Sequence, residues 1–480
     1  MHRAALDAIR CPVNLPPISS ASVFKARRAR VAERMTTLGV HATGVFAAGW
    51  ARPRNFAHNH FPFRAESHFL YLVGQHIEGA VLMLDARGQA TLYMEPQAPD
   101  MALWAGRAPS LEEWSARLEL SVLPLEQLEA GAVAVLPPQD EATALWLSGL
   151  FDRDVEAQAG PDLMGEDARL ATCLIDERLV KDQAALAQMR WASELSAQAH
   201  VAGMKAGKWA TREAQVRARM ESLFIEAGVA PAYTSIVTTH GEVLHAERSD
   251  GNIEAGNLVL CDVGAESPEG FAADITRTWP ARGRFSPTQR DVYEAVLMVQ
   301  KRAVAAARPG THYADLHRAA VRDMGQALLD LGILRHRVED CVESGAVSVF
   351  FPHGLAHALG LDVHDLEDLG QRAGYDEATR SSVHENGDPI FRYLRLSRQL
   401  APNMVVTIEP GFYQVPLLLE RARRDPVVAS FIDWERLAKY GDVLGIRIED
   451  DVLVGENGPE VLSASAPKEV AEIEALMAEA

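Results

Sequence analysis

Phe350-Phe-Pro-His-Gly-Leu-Ala-His-Ala-Leu-Gly-Leu-Asp-Val-His-Asp365 is the stretch from which the rest of the chain can be read. It holds His353, His357 and His364, interleaved with Gly354 and Gly360, whose lack of a side chain lets a backbone come close to another group. An imidazole can ligate a metal, donate to a developing oxyanion or hold a substrate carbonyl. Three of them on one short segment can serve several catalytic roles at once. The same pattern is compatible with a histidine-rich loop or with histidines satisfied in a core, so the weight falls on what lies around it.

On the C-terminal side, Val405-Val-Thr-Ile-Glu-Pro-Gly places Glu409 at a strand end, and Gly445-Ile-Arg-Ile-Glu-Asp-Asp-Val-Leu-Val puts Glu449 on one face with Arg447 and Asp451. On the N-terminal side, Leu258-Val-Leu-Cys-Asp-Val and Phe271-Ala-Ala-Asp-Ile-Thr flank the turn residues 264–270 and are expected to pair as antiparallel strands. Alternation sets Asp262 with Leu258 and Leu260, and Asp274 with Ala272 and Thr276. Carboxylates in apolar strands are costly unless they are paired, protonated or bound to a cation. For any one of them the alternative is an edge-strand salt bridge. Four acids with a histidine form an oxygen-rich, one-nitrogen donor set suited to divalent Mn²⁺, Co²⁺ or Zn²⁺. Their four negative charges would balance two such ions, which about 3.5–4 Å apart supply a nucleophile at neutral pH.

Further out, residues 1–20 are rich in Pro and small residues and read as a tail. Phe24 to Met35 carries Lys25, Arg27, Arg28, Arg30 and Arg34 around a sparse apolar stripe, as a surface helix would. Ala80 to Asp85 and Ala90 to Met94 are strand-like runs about a turn, and alternating helical and strand signals to about Leu174 suggest an α/β domain. His58, His60 and His68 lack spaced carboxylates and are read as surface or interface residues. Gln183 to Val201 has no Gly or Pro and is expected to open a second domain as a helix. Helices are also expected over 210–227, 288–307 and 313–331, a β-branched strand from Tyr233, and a closing helix over 467–480 with Pro467 in its first turn. Strands with acids thus lie on both sides of the histidine segment, which hints at two similar halves without a sequence repeat.

The 480 residues exceed what one core usually fills, so the expected division is a tail at 1–20, one domain over 21–178 and a catalytic domain over 179–480. A formal net charge of −19 argues against a nucleic-acid or anionic-membrane surface. Cys11, Cys173, Cys261 and Cys341 form no C-x-x-C pair, and no apolar run is long enough to cross a bilayer. A reducing cytoplasm is the expected compartment.

Asp262 and Asp274 in Asp-Val-Gly-Ala-Glu…Ala-Ala-Asp-Ile-Thr-Arg-Thr, His357 in the histidine segment, Glu409 in Thr-Ile-Glu-Pro-Gly-Phe-Tyr and Glu449 in Gly-Ile-Arg-Ile-Glu-Asp-Asp resemble the five ligands of the pita-bread metallopeptidases. Within that superfamily the chain is similar to the proline-specific branch, aminopeptidase P and prolidase, over nearly all of 182–480. More weakly, Glu66-Ser-His-Phe-Leu-Tyr-Leu-Val-Gly is similar to the creatinase-like domain that precedes the catalytic one. The resemblance implies an α/β (α+β) chain, a creatinase-like N-terminal α/β domain followed by a pita-bread catalytic domain. It implies two divalent ions, Mn²⁺ first with Co²⁺ or Zn²⁺ as alternatives, and hydrolysis of the Xaa-Pro bond of small peptides with proline in second position. Asp262 would bind one ion bidentately, Asp274 and Glu449 would bridge, and His357 and Glu409 would hold the other, with Glu409 also moving a proton. His245, His353 and His364 would line the substrate site, with His364 donating to the scissile carbonyl oxygen. Arg395 and Arg447 are assigned to substrate. Arg395 and the long segment 415–442 are prolidase-like, because an arginine clamp rewards the terminal carboxylate of a dipeptide. A strict Xaa-Pro dipeptidase and, in another class, a non-catalytic pita-bread binding module remain the alternatives. A homo-oligomer, dimer or tetramer, is expected from the resemblance, with the N-terminal domains in contact.

Overall fold

A computed structural model of the chain describes residues 16–56, 58–129, 131–157, 163–376 and 389–479. The first fifteen residues of the expected tail, Cys11 among them, lie outside the described residues. Contacts divide the chain into two compact units, one built mainly of Ala185–His364 and Gly374–Ala480, the other of Ile18–Ala184 and Asp365–Ala373.

The Ile18–Ala184 unit holds a five-stranded sheet of β1 (Thr43–Ala47), β2 (Val81–Leu84), β3 (Ala90–Met94), β4 (Ser121–Pro124) and β5 (Val133–Val135) in the order β4-β3-β2-β1-β5. Strand β2 pairs antiparallel with both β1 and β3, whereas β4 and β5 join their neighbours in parallel. Val45, Ala47, Val81, Val135, Leu147 and Phe151 form a core cluster against it. Burying such side chains contributes about 1.5–3 kcal/mol each for the larger ones.

Two expectations for this unit need correction. The helix Ala21–Thr37 is not a plain surface helix, because Arg27 and Arg28 are buried. Arg27 grips both oxygens of Asp182 through Nε and Nη2, and Arg28 donates to the Leu72 carbonyl, so paired guanidinium groups go where the charge count suggested water. His58 and His60 are exposed, but His68 is buried in the helix Ser67–Val73. Arg178 donates to its Nδ1 at 2.8 Å, which leaves Nε2 to donate to Asp368 at 3.2 Å. A nitrogen that keeps its proton for Asp368 has no lone pair to offer a metal, so the nearness of Glu66, His68 and Asp368 does not make a cation site.

In the unit built mainly of Ala185–His364 and Gly374–Ala480, β6 (Ile236–Thr238), β7 (Leu258–Asp262) and β8 (Thr276–Pro280) form one antiparallel sheet, with Asp262 opposite Thr276. The pairing of the two acid-bearing stretches is as expected, but β8 starts two residues after Asp274. Between them the chain crosses Gly264, where an added Cβ would lie 1.8 Å from the Ala273 carbonyl oxygen. The other acids lie between strands of a second group, β9 (Val405–Ile408), β10 (Gly411–Tyr413), β11 (Gly445–Arg447) and β12 (Asp450–Gly455), with β13 (Gly458–Val461) at the edge. β9 pairs with β12 and β10 with β11, both antiparallel. Glu409 falls in the break between β9 and β10, and Glu449 in the facing break between β11 and β12. Long helices Gln183–Gly207, Glu213–Glu226, Pro287–Ala306 and Tyr313–Asp330 accompany these strands. Pro287–Ala306 begins with a Ser286–Gln289 capping box and Pro287 in its first turn. The closing helix runs Val470–Ala478, so Pro467 lies before it. No helix among the described residues is long and apolar enough to cross a membrane.

Candidate metal centre and active site

The histidine segment is laid along β9 as a further strand-like edge. Thr407 N donates to the His357 carbonyl, Glu409 N to that of Leu355, and Leu359 N to that of Val405. The Thr407 hydroxyl also accepts from His357 N. His357 is thereby fixed beside the β9 break that carries Glu409. Its Nδ1 donates to the Ala358 carbonyl at 3.1 Å, which leaves Nε2 facing Asp274 Oδ2, 3.4 Å away, and Glu409 Oε1, 3.8 Å away, where it carries a proton in the metal-free protein and would offer its lone pair to a cation that replaced it. Ligand atoms of Asp274, His357 and Glu449 all lie within 4.8 Å of one another.

Tyr233 and Thr276 tie the remaining acids to this group, and nothing in the sequence pattern singled them out. The Tyr233 hydroxyl lies 2.6 Å from Asp262 Oδ1 and 2.7 Å from Asp274 Oδ1. It has one proton for two carboxylates. The Thr276 hydroxyl donates to Glu449 Oε2 at 2.6 Å and accepts from Arg447 Nε at 3.0 Å, while Glu449 N donates to the Thr276 carbonyl. Asp262, Asp274, His357, Glu409 and Glu449 thus surround one locus.

The electrostatics are those of a site short of positive charge. Burial, then repulsion from Asp274, pushes Asp262 up to about 6 against the pull of Arg447. Burial pushes Glu409 up to about 8, and burial with the charges of Asp274, Glu409 and Asp262 pushes Glu449 well above the carboxylate range. Burial pulls His357 down, but its hydrogen bond to Asp274 and the charge of Glu409 raise it to about 9. Burial alone would raise Asp274, yet the same His357 bond brings it below its usual value. Divalent cations at this locus would replace the protons that these shifts require. The donor set therefore fits the hard or borderline divalent ions expected from it.

The other candidates sit around this locus in different states. His364 is exposed and stacks on the His357 ring with centroids 3.8 Å apart. His245 is exposed at its surface but partly enclosed, and that partial desolvation followed by the Arg447 charge lowers its pKa, with Arg395 near enough to lower it further. Exposed Arg395 is brought in by Gly354, whose added Cβ would meet the Tyr393 carbonyl oxygen at 3.1 Å and Arg395 N at 3.7 Å. His353 has both nitrogens in use, Nδ1 donating to the Gly354 carbonyl and Nε2 accepting from the Tyr413 hydroxyl. Burial and the Arg447 charge lower it to about 3, so it stays neutral. Arg447, assigned above to substrate, is buried and turned toward the protein: Nε on Thr276, Nη1 on the Tyr413 hydroxyl and Nη2 on Asp262 at 2.6 Å.

The geometry is that of a carboxylate-rich metal hydrolase site, and comparison with known proteins gives its class: the chain belongs to metallopeptidase family M24, whose description matches residues 187–456. Residues 24–146 match the aminopeptidase P N-terminal domain. The mixed α/β fold expected from the sequence, an aminopeptidase P-type N-terminal domain before the catalytic one, is therefore the fold of this chain. A probable Xaa-Pro aminopeptidase of Penicillium rubens is 33% identical over 430 residues, covering 86% of this chain and 88% of that protein. The Xaa-Pro dipeptidase of Homo sapiens is 32% identical over 475 residues, covering 95% and 93%. Among solved structures, Pseudomonas aeruginosa aminopeptidase PepP matches with a TM-score of 0.78 and 29% identity over 97% of this chain and 99% of that one. Escherichia coli aminopeptidase P with the inhibitor Pro-Leu matches with a TM-score of 0.75 and 28% identity over 96% and 99%.

Proposed function

We propose that this chain is a metal-dependent exopeptidase that cuts the Xaa-Pro bond at the N-terminus of small peptides with proline second. The observation that carries it is the convergence of Asp262, Asp274, His357, Glu409 and Glu449 on one locus, in a chain related over most of its length to Xaa-Pro peptidases. The Xaa-Pro amide has no N–H and a fixed φ, so recognition falls on its carbonyl and its ring. Two divalent ions, Mn²⁺ first and Co²⁺ or Zn²⁺ next, would supply an activated water and a Lewis acid, held by those five residues. Glu409, raised to about 8 in the absence of cations, moves the proton from the nucleophile to the leaving nitrogen. His364, exposed and stacked on the ligand imidazole, donates to the carbonyl oxygen as charge develops there. His245 faces the substrate. His353 and Arg447 serve from behind, keeping Tyr413, Thr276 and Asp262 in place.

Chelator-treated protein should lose hydrolysis of Xaa-Pro peptides and regain it with Mn²⁺, Co²⁺ or Zn²⁺. Full activity without added metal would overturn the dinuclear site, and equal cleavage of Xaa-Ala peptides the proline assignment. A non-catalytic binding module is opposed by the presence of all five ligand-type residues, and metal analysis of the purified protein separates the two, since a module would carry no stoichiometric metal.

Arg395 beside His245 supports a dipeptidase as the second reading. A terminal carboxylate on its guanidinium would form a charge-assisted pair, and losing one costs about 1.5–3 kcal/mol. Arg395→Ala should then raise KM for Xaa-Pro roughly 10- to 100-fold and leave Xaa-Pro-Xaa peptides unaffected. If the tripeptide is cut as well as the dipeptide and the variant changes neither, the aminopeptidase reading stands. The enzyme is further assigned to the cytoplasm, in keeping with buried, unpaired Cys173, Cys261 and Cys341. Light scattering would test the homo-oligomer, dimer or tetramer, expected from the family resemblance.

A further inference from the structure

His245 stands in the middle of a segment, residues 239–251, that contains no strand or helix and is closed by a single buried side chain from elsewhere. Glu213, the first residue of the helix Glu213–Glu226, is 2% exposed. Its Oε1 accepts from Thr239 N at 2.7 Å and from the Thr239 hydroxyl at 3.0 Å, and its Oε2 accepts from Gly251 N at 2.9 Å. Glu213 N in turn donates to the Gly251 carbonyl at 3.1 Å. One carboxylate thus holds both ends of the segment together. An added Cβ on Gly251 would meet Glu213 Oε1 at 2.6 Å, so that position has room for the carboxylate and nothing more.

The closed segment is seated at a second point. Gly241 and Gly445 face each other so closely that a Cβ on Gly445 would lie 2.2 Å from the Gly241 carbonyl oxygen, and one on Gly241 would lie 2.7 Å from that of Gly445. Gly445 opens β11, the strand that ends in Arg447, and Arg447 is the charge that, after burial, most lowers the pKa of His245. Inside the segment the backbone bonds itself through Val243 N to the His240 carbonyl and Glu247 N to the His245 carbonyl, while His240 N reaches the Thr238 hydroxyl before it and the Asp250 carbonyl accepts from Arg212. A loop with so little internal bonding keeps its shape through its ends and its seat.

We infer that Glu213 is a positioning residue for the reaction: its carboxylate closes the 239–251 loop and so presents His245 to the substrate. The inference rests on the proposed role of His245 in substrate binding. Glu213 touches none of the metal-ligating residues, so its removal should leave bound metal unchanged.

The test uses the metal-loaded full-length enzyme with Glu213→Ala, Glu213→Gln, His245→Ala and the Glu213→Ala/His245→Ala double variant. Hydrogen exchange of peptides spanning 240–250 should quicken by about tenfold or more in Glu213→Ala, with exchange in the helix Pro287–Ala306 unchanged. Glu213→Gln keeps an oxygen for Thr239 but turns an N–H toward Gly251 N, so exchange should quicken mainly at the Gly251 end. Kinetically, Glu213→Ala should reproduce the KM and kcat changes of His245→Ala, and the double variant should be no worse than His245→Ala alone. Unchanged exchange in Glu213→Ala overturns the clamp, and multiplying defects in the double variant overturn its link to His245. Wild-type kinetics for His245→Ala would overturn the role of His245 itself, an outcome told apart because the loop would still exchange faster in Glu213→Ala.

Discussion

His357 and His364 are stacked neighbours with opposite assignments, and their surroundings differ. His357 gives its Nδ1 proton to the Ala358 carbonyl and turns Nε2 toward Asp274 and Glu409, whereas His364 is exposed and stacks on that ring. His357→Ala should therefore lose bound metal, while His364→Ala should keep it and lose about a hundredfold in kcat. Metal analysis beside steady-state kinetics checks both, and equal loss of metal in the two variants would reverse the assignment of His364. The four carboxylates were legible because an acid in an apolar stretch is an anomaly that a single sequence displays, and His357 because it lies in a segment with three histidines. Tyr233, Thr276 and Tyr413 were not legible, since a hydroxyl on a β-branched or aromatic residue is ordinary in a strand. Their partners are up to 173 positions away, as for Thr276 and Glu449. Arg447 was legible as a neighbour of Glu449 but not as a buried counter-charge to Asp262, because a strand pattern gives the face of a side chain and not the atoms at its tip.

At the scale of elements, the acids occupy places where regular strand pairing stops. Glu409 and Glu449 lie in facing breaks, with Ile408 opposite Asp450 on one side and Gly411 opposite Arg447 on the other. Asp274 precedes the start of β8 for a comparable reason. The alternation of 258–263 and 271–276 announced an antiparallel pair, but the strand boundary depends on how closely Ala273 passes Gly264, and no periodicity encodes that. Gly264→Ala would force a Cβ to 1.8 Å from the Ala273 carbonyl oxygen, which backbone alone can relieve. Moving it would part Asp274 from Asp262 and from the shared Tyr233 hydroxyl. The expected cost is about 3 kcal/mol, read as a lower melting temperature, together with less metal bound per chain. A variant with wild-type melting and full metal would show that the close approach is not needed. The start of the closing helix was misplaced by a similar limit: proline at a first turn is a preference, and the chain from Pro467 to Glu469 continues to Val470 before the helix begins.

For the whole molecule, the metal-free site ties stability to pH with a sign that can be worked out. Glu409 is raised to about 8 and His357 to about 9, and burial with neighbouring charge raises Glu449 as well. A group raised on folding contributes stability below its unfolded pKa and loses that contribution as pH rises through its folded value. Glu409 and His357 therefore weaken the metal-free protein between pH 7 and 9, Glu449 acts with the same sign, and Asp262, raised to about 6, has by then already lost its share. Asp274 and His353 are lowered and work in the other direction, but their contributions are lost only as pH falls, below the values of an ordinary aspartate and histidine. They are silent in this window. Bound cations require the same ligands deprotonated, so binding releases protons and tightens as pH rises. The chelator-stripped protein should accordingly melt at a lower temperature at pH 9 than at pH 7. The gap in melting temperature between the Mn²⁺-loaded and stripped forms should widen over the same interval, because stabilisation by a ligand grows with its affinity at fixed concentration. Calorimetry of both forms at several pH values measures the gap directly. A gap that stays constant or narrows would mean that the buried carboxylates and His357 give up no protons to the metal, and that the cations are held elsewhere.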